Sequence, residues 1–230
     1  MTKGIQQLYS KIPKTYEFLN HILTLGADIN WRKKAMALIS ESGETIKCLD
    51  ICTGTGDTAR LLSKRFDHKA IIIGADFSQQ MLIKAIRRSP QEIKYINTEA
   101  KILPFKDNSF DLVTISFATR NLRTTETHLK ECLTEIHRVL KPNGRFIHLE
   151  TSQPASSIYR WLFHRYVKIF IKPVGGLISG SYKAYAYLSQ TIPRFYAPEE
   201  FSKIIYESGF SRVEYTGLWG GIAAIHIALK

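Results

Sequence analysis

Asp50, Gly54, Gly56 and Asp76 carry the most informative spacing in this chain. Cys48-Leu49-Asp50-Ile51 reads as a short buried strand, and Cys52-Thr53-Gly54-Thr55-Gly56-Asp57 follows it as a glycine-rich turn that opens a helix. Glycine lets a ligand approach the backbone, and the helix start beyond the turn offers amide donors that lack intrahelical partners. Asp76 falls about twenty residues on, at the end of a second strand, where a carboxylate can accept hydrogen bonds from ribose hydroxyls. Gly54-Thr55-Gly56-Asp57-Thr58-Ala59 also satisfies G-x-G-x-x-A, so a dinucleotide competes with any other adenosine-bearing ligand. Asp50, just before the turn, is awkward for a pyrophosphate and useful beside a cation or an amino group.

The elements that must hold these residues alternate in period. Strands are expected at Lys47 to Ile51, Ala70 to Ala75, Ile93 to Asn97, Asp111 to Ser116 and Arg145 to Glu150. Helices are expected between them at Thr58 to Phe66, at Ser78 to Arg88 with Ser78 as cap, and at Glu126 to Leu140, which Lys141-Pro142-Asn143-Gly144 stops. Upstream, residues 8 to 40 read as helical, with Gly26 as a break and Trp31 to Ile39 resuming the pattern. Downstream, Pro198 to Ser208 is a helix, and Val213 to Leu218 and Ile222 to Leu229 form a strand pair around Trp219-Gly220-Gly221. The alternation implies a doubly wound, mostly parallel α/β sheet with one antiparallel strand near its C-terminal end. Thr98-Glu99-Ala100 follows the third strand, at the sheet end where open α/β folds bind ligands.

The bulk composition narrows the class. The chain has 230 residues, 44% hydrophobic and 23% charged, which suits a folded α/β domain and not a disordered segment. No apolar run reaches membrane-span length and the N-terminus lacks a signal-peptide core, so a cytoplasmic protein is expected. Cys48, Cys52 and Cys132 form no disulfide framework or CxxC pair, so reduced thiols and no metal are expected. The net charge of +12 points to an anionic partner. Thr151 to Pro198 contains no Asp or Glu, while Arg160, Arg165, Lys168, Lys172, Lys183 and Arg194 lie within it. As a helix, 157–172 would set Arg160, His164, Lys168 and Lys172 in one basic stripe beside Trp161, Leu162, Tyr166, Ile169 and Phe170, a pattern suited to an anionic bilayer or to a lid.

Asp50-Ile51-Cys52-Thr53-Gly54-Thr55-Gly56-Asp57, Gly74-Ala75-Asp76, and Leu103-Pro104-Phe105 with Ser109-Phe110-Asp111 together resemble the class I S-adenosylmethionine-dependent methyltransferases. Tyr16-Glu17-Phe18-Leu19-Asn20, Trp31-Arg32, Phe117-Ala118-Thr119-Arg120-Asn121, Tyr185-Ala186-Tyr187-Leu188 and Gly220-Gly221-Ile222-Ala223-Ala224-Ile225-His226 narrow the resemblance to the ubiquinone/menaquinone biosynthesis C-methyltransferases, from Tyr9 to Lys230. The chain departs from that pattern with Cys52-Thr53 for Gly-Gly, Thr119 for Gly and Glu99 for Asn.

The resemblance implies S-adenosylmethionine as cofactor, held by Asp50, Gly54, Gly56 and Thr58, with Asp76 on the ribose, Glu99 and Ala100 beside the adenine and Ser116 near the methionine end. It implies a polyprenyl quinol substrate, benzoquinol or naphthoquinol, methylated on a ring carbon. That carbon is nucleophilic only when a neighbouring hydroxyl ionises, so Arg120 is expected to stabilise a phenolate and Asn121 to orient a hydroxyl or a water, with Tyr185 as a further catalytic candidate. Tyr16, Tyr187 and His226 are further polar candidates, His226 reading more readily as a core histidine. One methyltransferase domain is implied: a helical cap at 1–45, a cofactor core at 46–151, a basic lid at 152–197 and a C-terminal helix and strand pair at 198–230. Expected partners are the quinol and an anionic membrane surface on the cytoplasmic side, with a homodimer open and no nucleic acid. The rival readings are methylation of RNA, which the charge would suit, and a nicotinamide oxidoreductase, which lacks a Tyr-x-x-x-Lys pair.

Overall fold

The structure is a computed structural model that describes residues 21, 24, 26–39, 45–67, 69–171, 186 and 189–230. Its centre is a seven-stranded sheet in the order β3-β2-β1-β4-β5-β7-β6. The strands are β1 (Lys47–Ile51), β2 (Ile71–Asp76), β3 (Lys94–Asn97), β4 (Phe110–Ser116), β5 (Leu140–Thr151), β6 (Arg212–Leu218) and β7 (Ala223–Leu229). All neighbours pair in parallel from β3 to β5, and β7 is antiparallel to both β5 and β6. This is the sheet the sequence predicts. The chain enters β1 from the middle, moves outward through β2 and β3, then returns to β4 beside β1. The reversal between β1 and β4 opens a crevice at the carboxyl ends of those strands.

Helices α1 (Ala27–Ala37), α2 (Asp57–Arg65), α3 (Gln79–Arg88), α4 (Thr119–Leu122), α5 (Glu126–Val139), α6 (Ser157–Tyr166) and α7 (Pro198–Glu207) surround the sheet. Alternate strand residues serve its two faces. Leu49, Val113 and Phe146 pack with Leu133 and Ile136 of α5 and Phe201 of α7, whereas Ile72, Leu112 and Ile147 pack with Trp31 of α1 and Leu62 of α2. Ser78 caps α3 by accepting from the Met81 amide at 3.4 Å, as its position before the helix predicts. α1 begins at Ala27, earlier than the Trp31 start the spacing predicts, because Gly26 adopts φ 75° and turns the chain there. β5 starts before the Lys141-Pro142-Asn143-Gly144 turn: Leu140 already pairs with Phe110, and the register shifts before Leu112. The basic segment is helical over Ser157–Tyr166 and continues as a π-type turn over Val167–Ile171. The first twenty residues and most of 172–188 fall outside the described residues.

His148 of β5 and His226 of β7 face each other across the antiparallel pair, fully buried. His226 Nε2 donates to the Pro198 carbonyl at 3.0 Å, so its Nδ1 accepts from His148 Nδ1 at 3.3 Å. Phe201 lies 4.3 Å from the His148 ring and 5.3 Å from that of His226. Burial pushes the His226 ring down to about 4 and His148 well below the ordinary imidazole value. Both are therefore neutral in the folded protein, and His226 is a satisfied core histidine. The unfolded chain takes up the same protons near pH 6.5. The pair's contribution to stability is thus complete above about pH 6.5 and is lost as pH falls toward 4. In urea denaturation, His226→Gln is expected to shrink the stability drop between pH 7 and pH 5 by about 2 kcal/mol; an undiminished drop would place its source elsewhere.

Candidate active site

The crevice at the β1–β4 reversal is a cavity of about 840 Å³, its open mouth included. The first turn after β1 shapes its floor. Cys52, Gly54 and Gly56 all take positive φ, at 53°, 58° and 84°, so the chain turns three times in five residues. Gly54 has open space where a side chain would stand. Its amide donates to Asp76 Oδ2 at 2.9 Å, while the Ser78 amide donates to Oδ1 at 2.8 Å. One carboxylate therefore ties the β1 turn to the β2–α3 turn. Gly56 answers to a different requirement. A Cβ there would collide with the Tyr95 hydroxyl, and one at Gly74 on β2 would come within 2.5 Å of the Tyr95 ring. Tyr95 of β3 lies across both glycines and donates or accepts at Ser89 Oγ at 2.7 Å.

Asp50 is buried at the cavity wall, its two oxygens accepting from Thr53 Oγ1 at 2.5 Å and Thr114 Oγ1 at 2.7 Å. Burial pushes its carboxyl up to about 6, against the opposing pull of those hydroxyls and of Arg32. Burial likewise raises Asp76, opposed by its two amide donors. Thr58, in the first turn of α2, donates to Ser116 Oγ at 3.2 Å and accepts from Arg32 Nη1 at 3.3 Å. Arg32 also lies 4.9 Å over the Phe117 ring. Phe117 itself is bent to φ 57°, so the chain leaves β4 in the same left-handed conformation as it leaves β1 at Cys52. Such backbone outliers gather at sites whose surroundings hold them in place.

The crevice brings together Asp50, Gly54, Thr58, Asp76, Ser116 and Asn121 of the sequence-predicted set. Glu99 and Ala100 line a second cavity of about 320 Å³ that shares Cys52, Asp76, Phe77 and Leu122 with the first. His128 is in its wall, its imidazole lowered by burial. The loop bearing Leu103 and Phe105 is pinned by α5: Arg138 donates to both carbonyls, at 3.1 and 2.8 Å, and Glu135 accepts from the Leu103 amide at 2.7 Å. Gly56 and Arg120 line neither cavity. The Arg120 side chain turns inward, where its Nε meets buried Glu150 of β5 at 3.0 Å. Tyr16, Tyr185 and Tyr187 lie outside the described residues. His21, Asp28, Phe77, Met81 and Phe117 also line the crevice and were not singled out as site residues from sequence. Of these, Phe117 carried a sequence signal, in the Phe117-to-Asn121 segment, as did Arg32, which also lines the crevice, in Trp31-Arg32. Burial pushes the thiol of Cys52, which lines both cavities, and that of Cys132 up, Cys132 to about 12, which leaves both protonated.

An enclosure walled by buried carboxylates and one guanidinium, with a side-chain-free turn, suits a ligand that pairs a cationic group and hydroxyls with a carboxylate. The sheet order and this crevice define the class: the fold is that of S-adenosylmethionine-dependent methyltransferases. A solved methyltransferase of that type from Thermotoga maritima superposes with a TM-score of 0.70 at 18% identity, covering 97% of this chain and 98% of the other. Phosphoethanolamine N-methyltransferase 2 of Haemonchus contortus, solved with S-adenosylmethionine, reaches 0.64 at 17% identity over 87% of this chain and 52% of its own. All 230 residues match the ubiE/COQ5 methyltransferase family, and the chain belongs to that family. It is similar to demethylmenaquinone methyltransferases of Thermus thermophilus, 38% identical over 96% of this chain and 98% of that one, and of Staphylococcus aureus, 36% identical over 98% and 92%.

The two glycines of the turn are expected to respond differently to alanine. At Gly56 the steric conflict with Tyr95 adds about 1–3 kcal/mol of overpacking to the cost of a left-handed alanine. Gly54→Ala carries only the backbone cost, about 1–2 kcal/mol. Urea denaturation of Gly56→Ala with and without Tyr95→Phe checks this, the double variant recovering part of the loss; purely additive losses would remove Tyr95 as the cause.

Proposed function

We propose that this protein transfers a methyl group from S-adenosylmethionine to a ring carbon of a prenylated hydroquinone, with demethylmenaquinol as the substrate favoured by its relatives. The observation that carries this is near-full-length identity of 34–38% to enzymes named demethylmenaquinone methyltransferase. The crevice residues fit the methyl donor, as the open space at Gly54 and the orientation of Asp76 by two amides support. When bound, S-adenosylmethionine would supply a methyl group on a positively charged sulfonium. In this reading Asp76 holds the ribose hydroxyls and Gly54 lets the ligand approach the turn. Asp50, held by Thr53 and Thr114, faces the amino group, and Arg32 the carboxylate at the other end of the crevice. Thr58 and Ser116 line that end, and Glu99 and Ala100 flank the adenine in the adjoining cavity. Asn121 orients a ring hydroxyl. Arg120, already paired with Glu150, supports the α4 turn from beneath. Incubating the protein with methyl-labelled S-adenosylmethionine and demethylmenaquinol in detergent is expected to give labelled menaquinol by mass spectrometry. Absence of labelled quinol, with donor binding intact, would overturn the substrate assignment.

The substrate's prenyl chain places it in a bilayer, and α6 supports docking of this protein on an anionic lipid surface. Its buried side chain, Phe163, lies one turn before buried Val167, the first residue of the π-type turn that follows, while Ile158, Trp161 and Leu162 are at least half exposed on the other face. Arg165 lies 5.4 Å over the Trp161 ring, and Arg160 and Lys168 are exposed on the same segment. His164 is instead turned inward to Gln153 Oε1 at 2.7 Å, so the basic stripe expected from its spacing is interrupted there. No helix among the described residues is long and apolar enough to cross a membrane. Sedimentation with phosphatidylglycerol vesicles is expected to carry the protein down, and Trp161→Ser with Leu162→Ser to weaken this at least tenfold, about 1.4 kcal/mol. Equal sedimentation of the variant, or binding to RNA in place of vesicles, would refute the surface.

A further inference from the structure

His21 and Asp28 form a dyad at the wall of the crevice, on the segment that Gly26 folds back. His21 Nδ1 lies 2.8–2.9 Å from the Asp28 carboxylate oxygens, and Gly26 fixes the turn between them by donating its amide to the His21 carbonyl at 2.6 Å. Asp28 is 2% exposed, and Thr24 Oγ1 donates to its Oδ1 at 2.8 Å. A carboxylate only accepts, so Nδ1 carries a ring proton, and in the neutral imidazole Nε2, on the opposite edge, holds the lone pair. His21 is the one imidazole among the described residues that line the larger cavity. A base oriented by a buried carboxylate, itself held by a third group, is the arrangement that proton abstraction requires.

We propose that His21 Nε2 is the catalytic base that takes the proton from the ring hydroxyl of the acceptor, with Asp28 and Thr24 as its positioning residues. This inference rests on the quinol reading above. As the hydroxyl O–H bond breaks, its proton goes to Nε2 and its electron pair flows through the ring to the carbon that forms the new C–C bond. The donor's C–S bond breaks with its pair going to sulfur. The hydrogen on the methylated carbon then leaves as a proton to water, and the imidazolium returns its proton to the ring oxygen. The net release is one proton. Arg120, expected from sequence to stabilise the phenolate as a fixed cation, cannot take the proton itself, and its guanidinium is paired with Glu150.

The charged groups that share the cavity with His21 are Asp28 and Arg32 of α1, Asp50 at the end of β1, Asp57 of α2 and Asp76 at the end of β2. Of these, Asp50 is pushed up to about 6 and titrates in the same range as a histidine, so a pH profile alone does not single out the dyad. The test therefore uses His21→Gln and Asp28→Asn with three measurements. S-adenosylhomocysteine affinity, by calorimetry, is expected to stay within about threefold of the unsubstituted protein. Turnover of demethylmenaquinol is expected to fall in kcat by about 10²–10⁴-fold for His21→Gln, with KM nearly unchanged, and less for Asp28→Asn. A redox-inert prenylated naphthol, bound without the methyl donor and followed by naphtholate absorbance, is expected to ionise at lower pH on the unsubstituted protein than on His21→Gln. Unchanged kcat in His21→Gln, or parallel loss of S-adenosylhomocysteine affinity, would overturn the proposal, the latter assigning the dyad to donor binding. If the unsubstituted protein fails to methylate the quinol, the substrate reading fails, and the naphthol measurement still decides whether His21 takes a phenolic proton.

Discussion

The Asp76 carboxylate is the interaction on which the crevice depends. It ends β2, yet its two oxygens accept from the Gly54 amide on the β1 turn and the Ser78 amide at the start of α3. Neighbouring parallel strands are held in register by their ladder only up to their last paired residues, and beyond that point the loops are free to diverge. A buried charged acceptor shared by two backbone donors closes that freedom, because leaving any of the three groups unpaired in the interior is costly. The turn it fixes is tight enough that Cys52 adopts the left-handed conformation that glycine takes without strain. Tyr95 completes the constraint from the other side by filling the space that Gly56 and Gly74 leave open.

The electrostatics of the site follow from putting carboxylates where water is scarce. Asp50 and Asp76 are both raised by burial, and hydrogen bonds from hydroxyls and amides, with the charge of Arg32 at Asp50, hold the shifts in check. A cationic ligand would relieve that penalty, whereas a pyrophosphate would add to it. This is the physical reason the carboxylate before the glycine turn separates a sulfonium cofactor from a dinucleotide, although the glycine spacing fits both. Arg32, stacked on Phe117 and bonded to Thr58, supplies the single guanidinium in the wall of the same cavity.

Much of this was legible in one dimension. The strand and helix periods marked out the sheet and its final antiparallel strand to within a few residues, because buried strands and amphipathic helices leave different spacings. Asp50, Gly54 and Asp76 were identifiable because ligands of an open α/β sheet gather where strands end, and strand ends can be read from sequence, whereas Thr58, Ser116 and Asn121 came only from the resemblance to the family. Arg120 shows the limit. Its type suits a phenolate, but the acceptor that claims its guanidinium, Glu150, is thirty residues away on β5. His21 and Asp28 show the reverse case, two ordinary helical residues whose pairing depends on how Gly26 folds the chain.

The sequence by itself determined the class of sheet, the glycine turn, the carboxylates at the ends of β1 and β2, and the family, since each depends on residue type and spacing along a single element. Tertiary structure alone decided which side chains share a cavity. It set Gly56 under Tyr95 and left open space at Gly54 in the crevice wall, turned Arg120 inward to Glu150, and set His148 against His226. Each of these is a contact between strands or helices distant in the chain. Such contacts follow from register and crossover geometry, which no local pattern encodes. The turn that first suggested a binding site is thus shaped as much by a tyrosine on β3 as by its own glycines.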